Sequence, residues 1–126
     1  MQTNSAFYLA ARARFPDFAE KADRKYFEYW DEQPRAEGAY GWFESAANAL
    51  NAEMKREGDL AGCSEFFEFV DSIFASASEE VRRCIDVSFV ENLFWQVPPA
   101  KAAAYWNKLP PQLQALYVGF HNRPPI

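Results

Sequence analysis

Between Phe15 and Trp30 the apolar residues Phe15, Phe18, Ala19, Ala22, Tyr26, Tyr29 and Trp30 recur at spacings of three and four. That period marks one face of an α-helix, because a half-buried strand would alternate every second residue. The segment predicts a helix from Pro16 to about Asp31, with the proline in the first turn, where its missing N–H does no harm. The rest of the chain is built from similar material. Six Val, three Ile and one Thr stand against twenty Ala, so residues that favour strands are scarce and those that favour helices abundant. An all-β fold is excluded. With 12 Phe, 6 Tyr and 4 Trp in 126 residues, the chain is also too rich in large apolar side chains to remain disordered.

Helix punctuation divides the remainder. Thr3 or Asn4 caps a first helix that runs to about Phe15, the residue that Pro16 biases out of helical geometry. Gln33–Gly38 reads as a loop. A third helix spans about Ala39 to Glu57, with Ala39, Phe43, Ala46, Ala47, Leu50 and Met54 inward and Gly58 as a left-handed cap. A fourth follows Gly62 or Ser64 and carries Phe66, Phe67, Phe69, Val70, Ile73 and Phe74, an apolar surface wide enough to place this helix at the centre. A fifth, capped by Ser76 or Ser78, extends to about Trp95. Pro98–Pro99 opens a sixth, to about Lys108. Pro110–Pro111 opens a seventh, to about Phe120, before a tail over 121–126. No repeat and no linker interrupts this order. The expected fold is an all-α, compact single-domain bundle of six or seven helices over 1–126. Its centre is expected at Phe66, Phe69, Ile73, Phe89 and Leu93.

Charge narrows the choice of partners. Residues 1–35 carry six charges of each sign, residues 36–80 carry two basic and ten acidic, and residues 81–126 five basic and two acidic, which gives the net −5 of the whole chain. Nucleic-acid binding through phosphate neutralisation is disfavoured. No signal peptide and no apolar run long enough to span a bilayer is visible, so a cytoplasmic setting without membrane contact is expected.

Little in the sequence supports catalysis. A zinc site or a helical di-iron centre needs several His or Cys ligands at recognisable spacing, and His121 is the sole histidine. Cys63 and Cys84 read as small buried thiols, with a disulfide or a reactive thiol as the alternatives. No glycine-rich phosphate loop is present. The expectation is a protein with no enzymatic activity, cofactor or metal. Glu65, Glu68 and Asp71 share one helical face and in principle admit a divalent cation, but a solvated face opposite the phenylalanines is the preferred account of them.

From Glu57 to Glu80 the chain carries Glu57, Asp59, Glu65, Glu68, Asp71, Glu79 and Glu80 with no Lys or Arg among them. Like charges in such density repel, and the missing basic residues point either to a basic partner or to a plain soluble surface. Trp42 lies off the inward stripe of the third helix and Tyr8 in the first helix. Each is either an exposed anchor for a partner or an ordinary core residue. These seven acids and Trp42 form the expected partner-binding set.

The stretch Glu79-Glu80-Val81-Arg82-Arg83-Cys84-Ile85-Asp86-Val87-Ser88-Phe89-Val90-Glu91-Asn92-Leu93-Phe94-Trp95, followed by prolines, resembles a segment of small helical bacterial proteins, some of which serve as immunity proteins against secreted toxins. The resemblance covers about residues 60–117 and carries over no functional residue. It implies a small, acidic, cytoplasmic, non-catalytic protein matched to one partner, often a basic toxin domain that attacks nucleic acid. The expected function is that of an immunity or inhibitor protein. The alternative is a helical adaptor or regulatory subunit for another cellular partner.

Overall fold

The computed structural model describes all residues, 1–126, and contains seven α-helices and no strand. In order they are α1 (Asn4–Arg14), α2 (Pro16–Trp30), α3 (Ala39–Lys55), α4 (Leu60–Phe74), α5 (Glu79–Arg83), α6 (Pro99–Trp106) and α7 (Pro111–His121). The all-α, single-domain expectation holds, and the three Pro-opened helices begin where the sequence placed them. Thr3 caps α1 by accepting the Ala6 N–H at 3.1 Å, and Ser78 caps α5 through the Val81 N–H at 3.2 Å. The start of α5 is also tied to the start of α1. The Ser78 N–H donates to the Met1 carbonyl at 3.0 Å, the Ser78 hydroxyl to the Gln2 carbonyl at 2.8 Å, and the Asn4 N–H to Glu80 Oε2 at 2.7 Å.

The centre is held by α3 rather than by α4. Eleven residues of α3 are buried, among them Trp42, Phe43, Leu50 and Met54, whereas α4 buries Cys63, Phe66, Phe67, Phe69 and Val70. Ala39, Ala46, Ala47 and Ala49 explain the difference, because small side chains let neighbouring helices close on α3 from several sides. Between α1, α3 and α4 the core is a run of aromatic rings. Phe7 stacks on Phe43 with centroids 4.0 Å apart, and Phe66 lies 5.2 Å from Phe15 and 5.7 Å from Phe89. Of the five residues expected at the centre, Phe66, Phe69, Phe89 and Leu93 are buried and Ile73 is half-buried.

Three local expectations are corrected. The left-handed residue after α3 is Glu57 (φ 56°), not Gly58, and Asp59 (φ 38°) follows it. Gly58 makes room instead, since a Cβ there would stand 2.9 Å from Glu53 Oε2 and the buried carboxylate would have to shift. Second, α4 starts earlier than Gly62, because Asp59 caps it by accepting the Gly62 N–H at 3.1 Å. Third, the fifth helix does not continue to Trp95. It passes at Cys84 into π-helix (Cys84–Phe89) and then a 3-10 turn (Val90–Asn92). Widened turns of this kind shift every later side chain around the axis and are frequent at functional sites.

Candidate functional site

Two surfaces stand out, one acidic and one aromatic. The acidic one follows the outer side of α4. Glu65, Glu68 and Asp71 recur every third residue opposite Phe66, Phe67, Phe69 and Val70, so the hydrophobic demand of one face pushes the carboxylates to the other. Asp59 lies at the start of the helix, and Glu79 and Glu80 lie beyond its end. The charges are therefore strung along a ridge of about 22 Å, the length of fifteen helical residues.

None of the seven acids has an ion-pair partner within the chain. Three carboxylates elsewhere do: Asp23 with Arg12 at 2.6 Å, Glu53 with Lys21 at 2.8 Å, and Glu28 with Lys25 at 3.9 Å. Three of the seven still have local work. Asp59 caps α4, Glu80 receives the Asn4 N–H, and Asp71 accepts from Gln112 Nε2 at 3.2 Å. Glu57, Glu65, Glu68 and Glu79 accept no hydrogen bond from the chain and are exposed.

Trp42 does not belong to this surface. It is fully buried, with its indole N–H donating to Asp23 Oδ1 at 2.8 Å and its ring edge-on to Phe43 (5.0 Å) and Tyr8 (5.2 Å). Tyr8 is buried beside it. The helical stripe missed Trp42 because α3 is enclosed on nearly every side, and the polar end of the indole is satisfied by a carboxylate that Arg12 also grips.

The aromatic surface escaped the sequence reading. It is a groove of about 870 Å³ between the last turn of α2, the middle of α3 and the loop after the 3-10 turn. Tyr29, Trp30 and Trp95, which are 71%, 49% and 59% exposed, stand on its walls. Tyr29 and Trp30 lie edge to face at 5.0 Å. The helical period had turned both inward. Only Ala19, Ala22 and Tyr26 of that stripe are buried, and the aromatics at 26, 27, 29 and 30 cover more of the circumference than one neighbouring helix can bury. That excess was the available signal for Tyr29 and Trp30. For Trp95 there was none, because its position depends on the broken fifth helix.

Trp95 stands between two residues in the left-handed region, Phe94 (φ 66°) and Gln96 (φ 56°). Such backbone costs non-glycine residues of order 1 kcal/mol each and persists only where the surroundings impose it. Here the imposing groups are plain. The ring of Phe94 is buried against Trp106 (5.8 Å) and Tyr117 (5.5 Å). Buried Asn51, from α3, accepts the Phe94 N–H at 2.7 Å and donates to the Asn92 carbonyl at 2.8 Å. One turn earlier, Ser88 in the π-helix donates its hydroxyl to the Tyr40 carbonyl. The loop is thus clamped to α3, and Trp95 is turned out to solvent as a result.

The groove floor includes Ser45 and Asn48. Ser45 is only 4% exposed. The charged residues that line it are Lys25, Glu28, Glu44, Lys55 and Arg56.

Groups with reactive potential lie elsewhere. Cys63 and Cys84 are free and buried, and burial pushes both thiols up to about 12. His121 stacks on Tyr117 at 4.1 Å, with Nε2 3.1 Å from the Glu91 carbonyl oxygen. No three of the His, Cys, Asp and Glu side chains converge to hold a metal ion. No helix is long and apolar enough to cross a membrane.

Comparison with known proteins adds one relationship. No curated protein and no solved structure matches the chain. A family model described as a domain of unknown function, DUF7674, matches residues 8–123, which takes in all seven helices except the first residues of α1, and the chain belongs to that family.

Proposed function

We propose that this is a non-catalytic interaction protein, an immunity or inhibitor protein of the bacterial cytoplasm that covers a basic toxin domain, such as a nuclease, with the outer face of α4. The observation that carries the reading is the density of unpaired acid: seven carboxylates from Glu57 to Glu80 stand with no Lys or Arg among them and no cation within ion-pair distance. An unpaired acidic ridge raises the local concentration of a basic partner and speeds its encounter. The buried, high-pKa thiols and the carbonyl-bound histidine supply no activated nucleophile or base, which agrees with a role in binding.

A second reading, a helical adaptor for another cellular partner, is favoured by the aromatic groove, because exposed Tyr and Trp clustered in a concavity are typical anchors. Capture of the partner from native lysate, followed by measurement of both rate constants for wild type and for Glu65→Lys/Glu68→Lys/Asp71→Lys, separates the two. A basic partner whose association slows in the variant supports the first reading. Unchanged association overturns it in favour of the adaptor.

A further inference from the structure

We infer that α7 is a hinged strut for the wall of the aromatic groove: it lifts from the molecule while the other helices stay packed, and when it lifts, the turn that carries Trp95 is released. The inference concerns how the groove is held together and stands whichever surface a partner uses.

The construction of α7 makes it the part that lifts. Only Leu113 and Tyr117 of its eleven residues are buried, against eleven of seventeen in α3. No charged residue lies between Lys108 and His121, and no ion pair ties the helix down. Its side-chain hydrogen bonds to the rest of the molecule are few: Gln112 Nε2 donates to Asp71 at 3.2 Å, Gln114 Nε2 to the Trp106 carbonyl at 2.8 Å, and His121 Nε2 stands 3.1 Å from the Glu91 carbonyl oxygen. The helix is joined through Pro110, which is extended (φ −57°, ψ 148°) and so marks a clean break from α6. A segment with so few buried groups opens at a lower free energy than the whole fold. The preceding helix is fixed by contrast, because the Lys101 ammonium donates to the Lys55 carbonyl at 2.6 Å and the Tyr105 hydroxyl to the Gly58 carbonyl at 2.7 Å, both at the end of α3.

What α7 takes with it follows from the two holds on Phe94. The first is Asn51, which binds the Phe94 N–H from the centre of α3 and leaves only when the fold does. The second is the enclosure of the ring, whose walls are Trp106 on the fixed α6 and Tyr117 on α7. Tyr117 is braced in turn by His121, stacked on it at 4.1 Å. Removal of α7 strips one wall from Phe94, and the left-handed backbone at Phe94 and Gln96, unfavourable for both residues, loses half of what imposes it. The turn then relaxes around Trp95. The dependence is mutual, since a relaxed turn withdraws the ring on which Tyr117 docks. Anything that displaces α7 therefore alters the groove without touching it.

Hydrogen exchange of the intact protein, read by mass spectrometry, tests the coupling. Residues 93–97 offer three bonded amides, those of Leu93, Phe94 and Val97. Peptides covering 93–97 and 111–121 are expected to exchange together and faster than 39–55. His121→Ala should raise the rate at both segments about fivefold, the loss of one hydrogen bond, and leave 39–55 unchanged. Tyr117→Phe, which keeps the ring against Phe94, should exchange like the wild type at 93–97. Exchange of both segments only together with α3, faster exchange of 111–121 without 93–97, or unchanged rates in His121→Ala would overturn the inference.

Discussion

The ridge on α4 and the groove beside α3 are both exposed and opposite in origin. The ridge is local. Its residues are neighbours in sequence, a three-residue spacing aligns them, and burial of the phenylalanines opposite determines which way they point. The groove is assembled from positions 29–30, 45–48 and 95, and it exists only because a widened helical turn and a clamped loop bring Trp95 to α3. Local charge can be rearranged with little effect on the fold, whereas an assembled surface is only as firm as the contacts that hold it.

The sharpest contrast lies within α4 itself, between adjacent residues Glu68 and Phe69. Phe69 is 7% exposed and packs against Phe7, Phe15 and Phe66. Phe69→Ala should destabilise the fold by about 3–5 kcal/mol, a large part of what a domain of this size possesses, as read by urea unfolding. A loss below about 1 kcal/mol would mean that the inner face of α4 is as dispensable as its ridge.

For the groove, the equivalent position is Asn51. Asn51→Ala leaves the Phe94 N–H and the Asn92 carbonyl without their partners and should cost about 2–3 kcal/mol. Freed from the clamp, Phe94 and Gln96 would relax from the left-handed region, and Trp95 would lose its fixed place. Faster collisional quenching of tryptophan fluorescence, at temperatures where the variant is still folded, would report this. An unchanged quenching profile would show that the ring of Phe94 alone fixes the loop.

Glu53 joins the two regions, since it is buried on α3 below the start of α4. Burial on its own would raise its pKa, but the hydrogen bonds and charges of Lys21 and Arg56 prevail and hold it below the ordinary carboxylate value. A carboxylate with a depressed folded pKa contributes its full stability above the unfolded pKa and loses it as the pH falls through the folded one. Stability should therefore drop on acidification below about pH 4.5, and Glu53→Gln should flatten that drop while lowering stability at neutral pH by about 1–2 kcal/mol. An acid limb that is the same in both proteins would assign the loss to other carboxylates.

The smallest effect on folding belongs to the ridge. Reversal of Glu65, Glu68 and Asp71 to Lys should shift stability by less than about 1 kcal/mol, most of it from the Asp71–Gln112 hydrogen bond. Association with a basic partner should slow in the variant. In the wild type it should slow steeply between physiological salt, where screening acts over ~8 Å, and 1 M, where it acts over ~3 Å. Indifference to salt would reduce the ridge to a solvated surface.

What the sequence revealed follows the same division. Helix starts at Pro16, Pro99 and Pro111 and the cap at Ser78 were legible because a proline or a capping hydroxyl acts within one turn. The ridge was legible for the same reason. Trp42 was misplaced because a stripe on a helical wheel assumes one solvated side, and α3 has almost none. Gly58 was mistaken for a left-handed cap because glycine suits that role, whereas here it makes room for Glu53. The groove could not be read, since no pattern within residues 84–92 announces that the helix will widen and stop.

The stitching of α1 to α5 bears on the order in which the protein is made. The first N–H of α1 is satisfied by a carboxylate 76 residues farther along the chain. As the protein leaves the ribosome, α1 can wind early, but its leading turn stays open until Ser78 and Glu80 have emerged. Nearly two-thirds of the polypeptide must be outside before the start of α1 can be secured. A pause in translation ahead of that point would hold the N-terminal helices in a loose, incompletely closed state, exposed to chaperones and proteases until the middle of the chain arrives.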